Sequence, residues 1–220
     1  MNIILLGPPG AGKGTQAELI RTALSIPHIS TGDMLRAAIR KGDEFGKSIE
    51  TIVSSGQYIS DETIIALVKR RIAEPDCVKG FILDGFPRTP IQAEALSQAG
   101  VRIDYVVQIQ VPDERIIQRL AGRRVHSESG RTYNIYFHPP KVENIDDVTG
   151  EPLTQRVDDS ETTVRDRLSV YHEKTEPIIA WYKQRAAQNS LKFIAVDGMQ
   201  DEQTVCDEIL ARMNSAISNM

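Results

Sequence analysis

The stretch Ile3-Ile4-Leu5-Leu6-Gly7-Pro8-Pro9-Gly10-Ala11-Gly12-Lys13-Gly14-Thr15 decides the fold. Its apolar run reads as a buried strand, and the residues after it read as a Gly-rich turn opening a helix over about Lys13 to Leu24. Glycines at 7, 10 and 12 let the backbone turn tightly and point its N–H groups inward at an anion. The helix adds its positive N-terminal end, and Lys13 is placed to reach outer phosphates. The bland alternative is a glycine turn before an ordinary helix. A lone GxGxxG would not decide between them, but Gly-x4-Gly-Lys between strand and helix does, and it reads as a phosphate-binding P-loop. The general form has Ser or Thr after the lysine; here that residue is Gly14, and a hydroxyl appears only at Thr15. No direct metal ligation is therefore assigned to Thr15. Gly14 costs the helix about 1 kcal/mol relative to Ala, which a very close approach of backbone to phosphate explains.

Composition narrows the field. At 220 residues the chain holds one well-packed core and small inserted subdomains. A net charge of -4 argues against nucleic-acid binding by bulk charge. Arg115 to Arg131 is dense in arginine but lacks an RNP-type aromatic pattern, so RNA is not the expected partner. No run approaches a membrane span, and the N-terminal apolar run reads as a strand rather than a signal peptide. Cys77 and Cys206 match no metal or redox spacing, and read as small side chains in a reducing cytoplasm.

Working outward from the P-loop, short β-type runs alternate with helical patterns. Strands are expected at Ile26–Ile29, Gly80–Gly85, Tyr105–Val111 and Leu191–Val196. Helices are expected near Met34–Arg40, Phe45–Ser54, Thr63–Glu74 and Thr89–Ala99, from Pro112 onward, and near Asp201–Ser215. This alternation implies an α/β fold with a doubly wound, five-stranded parallel sheet. Ligands in such folds lie at the carboxyl ends of the strands, where Gly7, Thr31, Asp84 and Gly198 should converge. Two segments interrupt the pattern: an all-helical one near 30–59, and one near 122–159, rich in Gly, Pro, Asn and Asp, that reads as a small β-rich flap.

Three constellations carry chemistry. Asp84 ends an apolar strand, where a P-loop protein typically holds Mg²⁺, often through water; a turn cap is its plainer reading. Arg36, Arg88, Arg119, Arg123, Arg156 and Arg167 fall near strand ends, flap edges or helix starts, and a guanidinium fork suits phosphate. Arg21, Arg40, Arg70, Arg71 and Arg212 read instead as solvated surface charges. In the flap, His126-x2-Ser129 and Asp146-x2-Thr149 have zinc-ribbon spacing with every cysteine replaced. One His and one carboxylate are too few for zinc, so the expectation is a hydrogen-bonded pin between two turns.

Together these pieces resemble the adenylate kinase family in its long-lid bacterial form. The resemblance spans nearly the whole chain: the P-loop, Ile-Ser-Thr-Gly-Asp-Met-Leu-Arg at 29–36, Phe-Ile-Leu-Asp-Gly-Phe-Pro-Arg at 81–88, Gly-Arg-Arg at 122–124, Arg-Thr-Tyr-Asn at 131–134, and Arg156 through Arg167. It implies a core of residues 1–29, 60–121 and 160–220, a helical AMP-binding insert at 30–59 and an ATP lid at 122–159. ATP would be held by Gly10, Ala11, Gly12, Lys13, Gly14 and Thr15, with Arg119 stacked on adenine, Thr132 and Tyr133 nearby, and Gln200 meeting adenine through its backbone. AMP would meet Thr31, Arg36, the backbone of Gln57, Tyr58 and Ile59, then Gly85, Phe86, Pro87, Arg88 and Gln92. Lys13, Arg88, Arg123, Arg156 and Arg167 would serve the transferring phosphoryl, with Asp158 and Asp159 helping closure. Family members often carry Lys where this chain has Gln57 and Gln200.

The implied reaction is MgATP + AMP ⇌ 2 ADP, in a cytoplasmic monomer with Mg²⁺ and no zinc, and with no nucleic-acid or membrane partner. Kinases of UMP, CMP or GMP are the nearest rivals. Thr31 and Gln92 favour adenine, Gln92 because an amide donates and accepts along one base edge. An ATP-gated binding module would lack acceptor-side arginines such as Arg36 and Arg88, and a GTPase would carry an Asn-Lys-x-Asp motif that is absent.

Overall fold

The computed structural model of the protein describes residues 1–188 and 191–217, the side chains of 215–217 excepted. Five parallel strands form the central sheet: β1 (Asn2–Leu6), β2 (His28–Ser30), β3 (Phe81–Asp84), β4 (Tyr105–Gln110) and β7 (Lys192–Asp197), in the order β2-β3-β1-β4-β7. Register runs Leu5 beside Asp84 and Leu6 beside Gln108, so the strand ends align at one edge. Residues in these strands alternate between two apolar layers. Ile3, Leu5, Ile82, Val107 and Ile109 enter one layer, while Ile4, Leu6, Leu83 and Val106 enter the other. A strand buried on both faces must be apolar throughout, which is why β1 reads as an unbroken hydrophobic run.

Helices cover both faces. One layer draws on α1 (Lys13–Leu24), α6 (Asp113–Ala121), α7 (Glu161–Val170) and α9 (Glu202–Ile217); the other on α4 (Asp61–Ile72), α5 (Pro90–Gln98) and α8 (Glu176–Gln188). Between β2 and α4 lie α2 (Thr31–Lys41) and α3 (Glu44–Ser54), packed so closely that a Cβ on Gly46 would sit 2.1 Å from the Ala38 carbonyl oxygen. The 122–159 segment holds a two-stranded antiparallel sheet of β5 (Arg123–Val125) and β6 (Thr132–Asn134), with a further bridge from Val125 to Thr154. No helix among the described residues is long and apolar enough to cross a membrane.

The structure differs from the expectations at several boundaries. Helix α4 starts at Asp61 because the Ser60 side chain accepts from the Thr63 N–H, supplying a cap ahead of the apolar pattern. Pro112 is the residue before α6 rather than its first, its ψ of 147° being extended. Strands β2 and β7 end one residue later than expected, at Ser30 and Asp197. Sequence reading also missed α7 and α8, whose amphipathic pattern is broken between them by a wide π turn at Tyr171–Thr175.

Candidate active site

Helix α1 begins without a side-chain cap. Gly12 precedes it at φ 96°, a left-handed conformation that glycine adopts without a Cβ clash, and its N-terminal amides are left for a ligand. The loop over this end is equally constrained: Gly10 has φ 79°, and a Cβ there would lie 2.7 Å from Leu120 Cγ. The Lys13 ammonium folds back over the loop and donates to the carbonyls of Gly7 and Pro8, each at 2.7 Å. Burial, joined by the charges of Arg88, Arg167 and Arg123 and opposed by Asp84, brings its pKa down to about 8. A buried ammonium under that strain is ready for an anion, because polyphosphate would supply the negative charge it lacks.

Asp84, at the carboxyl end of β3, carries the answering charge. Its pKa is lowered although burial opposes the charged form, because His28, Lys13 and Arg88 favour the carboxylate. His28 was missed by sequence reading. Its imidazole bridges Asp84 Oδ2 at 3.3 Å and Glu18 Oε1 at 3.2 Å, and its pKa is raised because those carboxylates outweigh burial. Only the pairing of β2 with β3 puts that histidine beside the aspartate. Asp84 Oδ2 also lies 3.7 Å from where a Cβ on Gly14 would be. A lone ionised carboxylate next to a phosphate cradle fits Mg²⁺, which keeps most of its waters and takes substrate phosphates as ligands. Among the described residues no three His, Cys, Asp or Glu side chains group into an all-protein metal cage.

The next strand ends bring in the second half of the crevice. Thr31, which opens α2, donates to the Gly85 carbonyl at 2.8 Å, and Arg88 Nε donates to the same oxygen at 2.8 Å. Phe86–Pro87 is a cis peptide. Arg36 pairs with Asp33 at 2.6 Å, and charge from Arg36 and Arg123 helps depress Arg156 to about 10, after burial. Arg123 forks onto Asp159, and Arg167 pairs with Asp158 at 2.7 Å. Lys13, Arg88, Arg123 and Arg167 thus act on one another electrostatically, as do Arg36, Arg123 and Arg156. Such crowding of six cations around the four carboxylates Asp33, Asp84, Asp158 and Asp159 is costly unless a polyanion fills the space. Ile59 is buried in the second apolar layer, and Gln57 is exposed.

Three further candidates already have partners within the protein. Gln92 is 2 % exposed, and its amide already works within the protein: Oε1 accepts from the Arg88 N–H at 2.6 Å and Nε2 donates to Asp61 at 2.7 Å. One N–H and one lone pair remain for a base. Tyr133 turns its hydroxyl into the flap, donating to Asp146 at 2.9 Å, so its ring is not an open face, while Thr132 is exposed. Arg119 stands apart from the other cations, donating to the Gly198 carbonyl at 2.8 Å beyond β7, with the exposed Gln200 nearby in sequence.

In the flap, His126 Nδ1 lies 2.8 Å from Ser129 Oγ, and Thr149 Oγ1 donates to Asp146 at 2.9 Å and lies 3.4 Å from His126 Nε2. The cluster is larger than the four residues expected. Glu151 meets His126 Nε2, and Arg131 forks onto Asp146 at 2.9 and 2.7 Å. Arg131, Thr149 and Tyr133 together hold Asp146 far below the usual carboxylate range.

Against known families, the model described as adenylate kinase matches residues 5–187. The match covers the P-loop, the arginine cluster and the flap alike.

Proposed function

Because the chain belongs to the adenylate kinase family, and so is a nucleoside monophosphate kinase that binds adenine nucleotides, we propose that its reaction is MgATP + AMP ⇌ 2 ADP. The observation that carries this reading is the shared cation cluster. Lys13 of the P-loop feels the charges of Arg88, Arg123 and Arg167, Arg36 joins through Arg123 and Arg156, and Thr31 shares the Gly85 carbonyl with Arg88. A nucleoside triphosphate and a nucleoside monophosphate bound there would place a donor and an acceptor phosphate among the same guanidiniums.

The chemistry asks little else of the protein. An oxygen of the acceptor monophosphate attacks the terminal phosphorus of ATP, and the bond from that phosphorus to the ADP oxygen breaks. The acceptor is already an anion, so no general base is needed. Rate comes from alignment and from stabilising charge that spreads over the equatorial oxygens. Lys13 and the amides of Gly10 to Thr15 would hold the donor phosphates; Arg88 and Arg36 would hold the acceptor; Arg123, Arg156 and Arg167 would sit between them. Mg²⁺, held through water by Asp84, would supply charge neutralisation when bound. Arg119 at Gly198 is available to stack on the donor base. On this reading residues 30–59 are the AMP-binding insert and 122–159 the ATP lid, on a core of 1–29, 60–121 and 160–220, with His126, Ser129, Asp146 and Thr149 pinning the lid without zinc. The chain is proposed to act as a monomer.

Coupled turnover with ATP, Mg²⁺ and each of AMP, UMP, CMP and GMP tests the acceptor. Turnover with AMP far above the rest is expected. Preference for another monophosphate would replace the acceptor while leaving the kinase reading intact.

A further inference from the structure

Arg88 is held from two directions by residues that lie outside the phosphate-binding machinery. Its guanidinium carbon lies 4.9 Å from the centroid of the Tyr58 ring. Its carbonyl accepts a hydrogen bond from Thr175 Oγ1 at 2.8 Å, and Tyr58 Oη lies 2.9 Å from the same Oγ1. A threonine hydroxyl has one proton, and here it goes to the Arg88 carbonyl. Tyr58 must therefore be the donor in the remaining bond. The result is a closed ring of contacts: Arg88 side chain, Tyr58 ring, Tyr58 hydroxyl, Thr175 hydroxyl, Arg88 backbone.

Two features set this ring apart from ordinary packing. Thr175 is 6 % exposed and ends the π turn at Tyr171–Thr175, where the run from α7 to α8 departs from α-helical winding. A π turn inserts a residue and rotates the helix beyond it, and such turns recur where a helix must aim a side chain. Tyr58 stands where the chain leaves α3 for α4, two residues past Gly56 at φ 76°. The contact therefore ties the connection after the α2–α3 pair to the core at the residue that bears the guanidinium.

We propose that Tyr58 and Thr175 are positioning residues that aim Arg88, fastening the α3–α4 connection to the core so that the acceptor phosphate meets a guanidinium already in place. The proposal rests on the reading of Arg88 as an acceptor-phosphate ligand. Two consecutive hydrogen bonds in a partly buried setting strengthen one another and fix direction. The cation–π contact adds orientation without neutralising the guanidinium, leaving its charge for phosphate. An acidic partner at the same place would compete with the substrate.

The test uses Thr175→Val, which removes the hydroxyl at nearly constant shape, Thr175→Ser, which keeps it, and Tyr58→Phe, which keeps the ring. Thr175→Val and Tyr58→Phe are each expected to raise KM for the monophosphate roughly three- to ten-fold, the scale of one lost hydrogen bond. KM for ATP should stay within about two-fold, the coupling expected between independent sites. Thr175→Ser should restore the acceptor KM, and the double variant should cost less than the product of the single effects. The Arg88 Nε–H, which donates to Gly85, gives an NMR readout independent of turnover: its exchange should quicken in Thr175→Val. An unchanged acceptor KM with unchanged Arg88 exchange would overturn the proposal. So would equal losses toward both nucleotides with a lowered Tm that Thr175→Ser fails to restore, since that pattern marks a purely structural threonine. If no monophosphate is turned over by the native chain, the proposed function fails, while the Arg88 exchange experiment still decides the ring.

Discussion

At the residue scale, the arginines of the site differ in what else they do. Arg88 bonds the Gly85 carbonyl and faces Tyr58, so Arg88→Ala should cut kcat/KM with AMP by about a hundred-fold or more and leave Tm nearly unchanged. Arg123 carries a second duty, because its fork satisfies Asp159, whose side chain is fully buried. Arg123→Ala leaves that carboxylate with Arg167 Nη1 at 3.6 Å, so it should lose turnover and also stability, by about 3 kcal/mol. Thermal melts beside turnover would separate the two; equal Tm values for both variants would contradict this account. Lys13 adds a pH signature. Its pKa falls from 10.5 unfolded to about 8 folded, so between those values the unfolded chain binds more protons and this residue makes stability rise with pH. Below about 8 the cost of burying its charge is fully present. A bound polyphosphate reverses the shift, so ATP binding near pH 8.5 should take up protons. Calorimetry in buffers of different ionisation enthalpy would read that uptake, and proton release there would contradict the assignment.

At the element scale, a side-chain cap marks the start of five helices, while α1 opens uncapped behind the glycines of the phosphate loop. Ser30, Asp43, Ser60, Thr89 and Ser160 each accept a backbone N–H at a helix start, whereas α1 has none. The sequence reading followed the apolar pattern instead, so it began α2, α3 and α4 late, at Met34, Phe45 and Thr63, and missed α7. The flap is a different kind of element, with two short strands and little apolar interior. Its rigidity rests on the polar cluster around Asp146, which accepts from Arg131, Tyr133, Thr149 and the Val148 and Thr149 N–H groups. Asp146→Ala strands those donors, and should quicken hydrogen exchange across 122–159 while leaving β1, β3 and β4 protected. Uniform acceleration through the sheet would show that the flap and core open together.

At the scale of the whole molecule, the cation cluster draws on pieces distant in the chain: Lys13 after β1, Arg88 after β3, Arg123 in β5, Arg156 near the end of the flap, Arg167 in α7. Its assembly needs the sheet, the α2–α3 pair and the flap to meet over one edge. Arg167 already packs there, its side chain lying where a Cβ on Gly56 would go. A site completed from so many segments excludes water only when all are in place, so ATP without a monophosphate should be hydrolysed far more slowly than AMP is phosphorylated. Rapid hydrolysis of ATP alone would contradict that reading of the assembly.

What the sequence determined by itself is local in origin. The apolar strand, the glycines that permit φ near 79° and 96° at 10 and 12, the lysine one turn on, and the strand–helix alternation are each read within a few residues, since strand period, helix capping and glycine geometry act at that range. The arginines were singled out by their places near strand ends, flap edges and helix starts, and the family resemblance added their roles. The tertiary structure decided what depends on neighbours far apart in the chain. His28 meets Asp84 only through strand pairing, Gln92 and Tyr133 turn inward to Arg88, Asp61 and Asp146, and Thr175 reaches Arg88 and Tyr58 only because a π turn rotates it inward. A side chain's partners are set by which groups burial leaves unsatisfied nearby, and no window of sequence contains them.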